Sequence, residues 1–355
     1  MTDHIGMPPA QGLYDPANEH DNCGVGFIAN IKGRKSHSIV KRGIEILCNL
    51  THRGAVGADP LDGDGAGLMI QIPEAYYREV CGFELPASGE FGAGIVFLPR
   101  DSSCRDACIA ALDKELVRVG CSILGWREIQ TDGSTIGRNA RSVEPHVMQV
   151  FVGRGEVALQ SFDLMLFLAR KRAENAIRDN KLAGGELFYV CSLSSRTILY
   201  KGMLLSEQLD TFFPELADER LVSAIAFVHQ RYSTNTFPTW DLAQPFRYAA
   251  HNGEINTLRG NINRMRARTA LLEHPELGEA VKDLEPIITE GSSDTACLDN
   301  ALELLLVTGR SLAHSLAMLI PEAWVSKAHL RKEVKGFFEY HATMMEPWDL
   351  SLIHI

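Results

Sequence analysis

The stretch Asp21-Asn22-Cys23-Gly24-Val25-Gly26-Phe27 decides how this chain is read. Small and apolar residues alternate after the cysteine, the pattern of a buried strand that opens at Cys23. A thiol is the most capable nucleophile among the side chains, but near neutral pH it needs a base. Cutting the Asn22–Cys23 bond would supply one: a free α-amino group titrates near ~7.7–8.0, against about 10.4 for a lysine. That amine can exchange a proton with its own thiol. Gly24 leaves the backbone open to a close approach by substrate. Taken by itself, a cysteine in a strand is more often a packed core residue. The segments downstream reverse that balance.

His229-Gln230-Arg231-Tyr232-Ser233-Thr234-Asn235-Thr236 ends an apolar strand, where side chains leave the core for a cleft. Arg231 offers a planar fork of donors suited to a carboxylate, and Thr234 adds a hydroxyl. A single arginine there would otherwise just cover a strand end. In His251-Asn252-Gly253-Glu254, an amide followed by glycine can aim two donors, the Asn252 side chain and the Gly253 backbone N–H, at one oxyanion. As a bare dipeptide, Asn-Gly is more often a turn. His251 is read as supporting the strand end, since no second histidine falls at ligand spacing beside it. Asp294, in Ser292-Ser293-Asp294-Thr295, either caps a helix or takes a substrate ammonium. An arginine for a carboxylate and an aspartate for an ammonium together describe a zwitterionic amino-acid site.

The loop at residues 59–67 suggests calcium through Asp62 and Asp64, but the fifth and twelfth positions from Asp62 are Ala66 and Pro73, and the ligand set fails. It holds no Gly-Lys-Ser/Thr for a phosphate either, and reads as a tight structural loop beside the active strand. The 355 residues are 45% hydrophobic, enough for one large core or two ordinary ones. A net charge of -10 and the absence of a basic tract argue against nucleic acid and anionic membrane as partners. No apolar run is long enough to span a bilayer, and residues 1–22 lack the features of a secretory or transit signal. The eight cysteines are scattered without a Cys-x-x-Cys, so no zinc or iron–sulfur ligand set is present, and a reducing cytoplasm is expected.

Strands are expected at residues 24–30, 68–72, 92–98, 121–128, 147–152, 223–230 and 247–252, with a hairpin formed by 187–193 and 197–203. Helices are expected at 38–50, 101–120, 162–180, 255–272, 295–308 and 311–319. Interleaved elements with many short connections suit a layered α+β fold with antiparallel sheets.

The motifs Cys23-Gly24-Val25-Gly26-Phe27, His52-Arg53-Gly54, His229 to Asn235, His251 to Asn256 and Ser292 to Thr295 resemble, in this order, the class II glutamine amidotransferases. Residues 50–59 with 63–67, and 256–261, are similar to the glutamate synthase branch of that family. The resemblance covers residues 23–349. It implies an α+β, four-layer αββα sandwich of the N-terminal-nucleophile hydrolase type. Residues 1–22 would be a propeptide, 23–349 a C-terminally truncated glutaminase domain, and 350–355, where the pattern breaks, a non-native tail. Cys23 would be the nucleophile, with its α-amino group as base; Asn252 and Gly253 would form the oxyanion hole; Arg231 and Asp294 would hold glutamine, with Thr234 and Arg53 at further site positions.

The resemblance implies no cofactor and no metal in this chain, and FMN with iron–sulfur clusters in full-length relatives. Implied partners are glutamine, a synthase domain that aminates 2-oxoglutarate, and a small electron-transfer subunit or ferredoxin. A catalytically silent amino-acid-binding module would not need the full set of Cys23, Arg231, Asn252, Gly253 and Asp294. Amidotransferases that form phosphoribosylamine or glucosamine lack the glycine-rich 63–67 and the 259–261 stretches.

Overall fold

The computed structural model describes residues 11–12, 24–231, 236–327 and 329–351. Strand β1 spans Val25–Ala29, β2 Ala66–Gln71, β3 Phe91–Leu98, β4 Ser122–Glu128 and β5 His146–Gly153. Then come β6 at Tyr189–Val190, β7 at Thr197–Gly202, β8 at Ile225–Gln230, β9 at Glu254–Ile255 and β10 at Leu350–Ser351. Helices α1 to α5 are His37–Asn49, Glu74–Val80, Ser102–Arg118, Arg138–Ser142 and Phe162–Asp179. Helices α6 to α10 are Leu209–Phe212, Leu258–Thr269, Asp294–Val307, Leu312–Leu319 and Lys332–Met344.

Two four-stranded sheets, ordered β1-β8-β2-β7 and β4-β5-β3-β6, are antiparallel throughout. Every residue of β3 is buried, because both of its faces are covered. Phe91, Ala93, Ile95 and Phe97 join a cluster that also takes Leu68, Ile70, Tyr200, Ala226 and Val228 from the other sheet. Val96 and Leu98 point the opposite way, onto Cys108, Leu112 and Leu116 of α3 and Leu166, Ala169 and Ala173 of α5. This is the period-2 alternation of a strand applied to two apolar faces.

Helix α1 lays Ile39, Val40, Gly43 and Leu47 against the first sheet. A Cβ on Gly43 would lie 2.6 Å from the Ala226 Cβ, so only glycine permits this approach. Truncating the fully buried Leu47 to alanine would cost about 2–5 kcal/mol. A second cluster unites α7, α8 and α9 with Leu164, Phe167 and Leu168 of α5, and Trp348 closes it. Among the described residues no helix is long and apolar enough to cross a membrane.

Three expectations fail. The hairpin of 187–193 with 197–203 does not form: β6 pairs with β3, β7 pairs with β2, and the turn between them carries the chain from one sheet to the other. Residues 247–252 are not a strand. The backbone N–H groups of Arg247, Tyr248 and Ala249 go to the Asp299 carboxylate on α8 at 3.3, 2.7 and 2.9 Å, so no ladder can use them. The strand there is β9, which pairs with Leu350 and Ser351; α7 therefore begins only at Leu258. Helix α10 has no counterpart in the sequence reading.

Candidate active site

Three chain segments meet at one end of the first sheet because of its register. Val25 pairs with His229, the Gln230 N–H donates to Gly24 O at 2.8 Å, and the Arg231 N–H donates to Gly65 O at 2.8 Å. The end of β8, packed between the start of β1 and the loop before β2, lines a pocket of about 260 Å³ through His229, Gln230 and Arg231. That is slightly below the ~300–1,000 Å³ of sites for drug-sized ligands and suits a single amino acid. Arg53, Arg231, Asn252, Gly253 and Asp294 all line it. Cys23 and Thr234 lie outside the described residues; the neighbour of Cys23, Gly24, does not.

Gly24 touches the Asn252 side chain. A Cβ there would meet Gln230 O at 2.5 Å and the Asn252 amide at 3.0 Å, so glycine is required by this backbone packing. The Asn252 amide turns its oxygen toward the Gly24 and Val25 N–H groups, the latter at 3.3 Å, and donates its NH2 to His229 Nε2 at 2.9 Å. With oxygen and nitrogen exchanged, the NH2 would face two N–H donors. Burial pushes His229 down to about 3, so the ring is neutral and can accept that bond.

Arg231 is buried at the end of β8. Its Nη2 donates to Thr236 Oγ1 at 2.7 Å, and its Nη1 lies 3.4 Å from Asp64 O. Burial lowers its pKa, and the nearby carboxylates of Asp64, Asp241 and Asp294 do not outweigh that effect. Arg53 ends a turn after α1, and its buried Nε has no acceptor among the described residues. Asp294 is the first residue of α8, but Ser293 is the cap, accepting the Ala296 N–H at 3.3 Å. The Asp294 carboxylate accepts the N–H groups of Ile255 at 3.2 Å and Thr295 at 2.7 Å, which ties α8 to β9 and fixes its position at the pocket.

The loop at 59–67 is occupied structurally. Asp62 accepts the Asn139 and Ala140 N–H groups at the start of α4, both at 3.1 Å, and Gly63 bridges Val56. Among the described residues, no three His, Cys, Asp or Glu side chains are grouped to hold a metal ion.

His229 and Gln244 line the pocket but carry no role in the sequence reading. His229 stands inside a quoted motif, but its bond to Asn252 is set by strand register. Gln244 has no motif of its own, and only the fold brings it between the loop at His251 and Thr295. Lys201, fully buried on β7 and lowered to about 8 by burial, donates to Asp241 O and Ala243 O at 2.7 and 2.8 Å and so holds the turn that leads into Gln244.

The family model for glutamine amidotransferases class-II matches residues 23–351. The glutamate synthase [NADPH] large chain of Bacillus subtilis (strain 168) is 46% identical over 346 residues, 97% of this chain and 22% of that protein. The corresponding large chain of Azospirillum brasilense is 44% identical over 341 residues, 95% of this chain and 22% of that protein. Glutamate synthase [NADH] of Schizosaccharomyces pombe is 45% identical over 355 residues, 97% of this chain and 16% of that protein. The chain thus spans about a fifth of the length of these relatives. Its sequence match across residues 23–351, and the gathering of the Arg, Asn-Gly and Asp motifs at one pocket, lead to one conclusion: the chain belongs to the class II glutamine amidotransferases.

Proposed function

We propose that this chain is the glutaminase part of a glutamate synthase and that Cys23 carries the reaction. The observation that supports this most is the contact of Gly24, the residue after Cys23, with Asn252, which lines a pocket together with Arg231 and Asp294. The oxyanion donors and the two ligands for a zwitterion share that pocket, and Cys23 directly precedes the glycine that touches Asn252. Two antiparallel sheets with α1 against one and α3 and α5 against the other support the finer reading of a four-layer αββα sandwich.

In this reading, Arg231 and Asp294 bind the α-carboxylate and α-ammonium of glutamine, with Arg53 and Thr234 completing the cleft. The Cys23 sulfur attacks the carboxamide carbon, and the C=O electron pair moves onto oxygen. Asn252 and the Gly253 N–H stabilise that charge. The α-amino group of Cys23 takes the thiol proton and passes it to the departing nitrogen, so ammonia leaves and a γ-glutamyl thioester remains. Water then hydrolyses the thioester, releasing glutamate and restoring the thiol.

Residues 1–22 are a propeptide in this account, because an amide nitrogen cannot serve as the base. Ammonia passes to a synthase domain in the remaining four fifths of the full-length protein, where FMN and iron–sulfur clusters would serve the reduction of aminated 2-oxoglutarate. Relatives named for NADPH and for ferredoxin both match, so either a small electron-transfer subunit or ferredoxin is the electron source. The seven described cysteines are free thiols, which supports a cytoplasmic setting. A glutaminase assay on the chain and on Cys23→Ala tests the reading. Glutamate and ammonia in equal amounts from the first and none from the second are expected; equal activity of the two would overturn it.

A further inference from the structure

The imidazole of His251 bonds to the loop that it introduces. Its Nδ1 accepts the Gly253 N–H at 3.0 Å. That N–H is the backbone donor expected at the oxyanion, and one hydrogen cannot serve two acceptors at full strength. The rest of the residue is held from behind. Its backbone N–H donates to Gln244 Oε1 at 3.2 Å. Gln244 Nε2 donates to Thr295 Oγ1 at 3.2 Å, and the Thr295 hydroxyl reaches Asp294 Oδ1 at 3.3 Å. A hydrogen-bonded path therefore runs from the ammonium ligand Asp294 to the residue that occupies the oxyanion donor.

Among the described residues, nothing pins the far end of the ring. Nε2 of His251 is buried and has no hydrogen-bond partner among the described residues. Among the described residues, the ring can turn away from Gly253 without breaking a second bond of its own. Burial keeps the imidazole neutral although Asp294 and Glu254 pull the other way, so Nδ1 retains the lone pair that the Gly253 bond needs.

We propose that His251 is a positioning residue that latches the oxyanion hole: it holds the Gly253 N–H in the ligand-free pocket and releases it when negative charge develops on the substrate oxygen. The inference rests on the glutaminase reading. Its consequence is selective. A neutral carboxamide demands little of the hole, whereas a tetrahedral adduct must win Gly253 from the ring. The latch thus affects binding of charged adducts and leaves ground-state glutamine almost untouched.

The γ-aldehyde of glutamate isolates the effect. The Cys23 thiolate adds to its carbonyl carbon, a C–S bond forms, and the carbonyl electron pair becomes an oxyanion in the hole. His251→Phe keeps a ring in place but removes the acceptor. His251→Asn keeps an acceptor within reach of an N–H two residues on. Inhibition by the aldehyde should be about tenfold tighter in His251→Phe, the worth of one ordinary hydrogen bond. The KM for glutamine should stay within about twofold of the unsubstituted protein, and His251→Asn should behave like the unsubstituted protein. Weaker or unchanged aldehyde binding in His251→Phe, or an equal gain for glutamine, would overturn the latch.

A second measurement needs no variant. With 15N-labelled histidine, the His251 Nδ1 resonance should move when the aldehyde binds and stay put when glutamate binds; a resonance fixed in both states contradicts the proposal. An unsubstituted protein that neither hydrolyses glutamine nor binds the aldehyde would instead remove the glutaminase reading itself.

Discussion

Two buried groups of charge in this molecule use the same residue types to opposite ends. One is the pocket, with Arg231 and Asp294. The other, between α5 and α8, joins Arg170, Glu174, Arg247, Asp299 and Glu303. In the second group, Arg170 meets Glu174 at 2.7 Å and Glu303 at 2.6 Å, and Arg247 lies within 3.7–3.9 Å of Glu174, Asp299 and Glu303. Burial opposes charge in both places, but the balance differs. Tyr189 and the carboxylates outweigh burial at Arg247 and raise its pKa, whereas burial prevails at Arg231 and lowers it. Burial pushes Glu174 up, yet Arg170, Lys171 and Arg247 hold its carboxyl down to about 2. The first group suits an incoming carboxylate; the second is complete within the fold. The second also serves the first, because Asp299 fixes residues 247–249 and so delivers the His251-Asn252-Gly253 turn to the pocket.

The difference can be broken experimentally. Arg170→Met leaves Glu303 buried without its closest cation and should destabilise the fold by about 3–5 kcal/mol, read by denaturant titration, while the folded protein keeps its KM for glutamine. A changed KM with unchanged stability would reverse the roles assigned to the two groups. Asn252→Ala should instead act chiefly on the chemistry, lowering kcat by roughly 10²–10³. A loss confined to KM would make Asn252 a substrate holder only.

His229 gives the comparison a pH signature. Its folded value of about 3 lies below the ordinary value near 6.5, so the unfolded chain binds the proton first as pH falls. Its contribution is complete above about pH 6.5 and is lost progressively toward pH 3, reaching a loss of roughly 2 kcal/mol at pH 5. The stability difference between the protein and His229→Gln should carry this slope; a difference flat from pH 7 to pH 5 would show that His229 does not stay neutral. The smallest effect expected is that of Arg231→Lys, which replaces a planar fork by a point charge. It should raise the KM for glutamine about tenfold with a near-native melting curve. An unchanged KM would remove Arg231 from the site.

Much of the pocket was legible because its donors come as adjacent residues. Asn252-Gly253 and Ser293-Asp294 each announce a turn with polar groups exposed at its tip. Strands such as β3 were legible from unbroken apolar runs. What stayed hidden depends on distant partners. Residues 247–252 look like a strand, yet the N–H groups of residues 247–249 belong to Asp299, some fifty positions later in the chain. The segments at 187–193 and 197–203 look like a hairpin, yet each finds a different sheet. Helix α10 is charged and carries Gly336, and its packing through Phe338 has no clear period. Gln244 acquires a role only because the fold sets it between His251 and Thr295.

The central claim is that Cys23 works as nucleophile and base at once, and intact-mass spectrometry paired with a glutaminase assay tests it most directly. The active protein should begin at Cys23. Cys23→Ala should retain residues 1–22 and lose activity together, with the same melting behaviour. A fully active protein that still carries residues 1–22 would contradict the account.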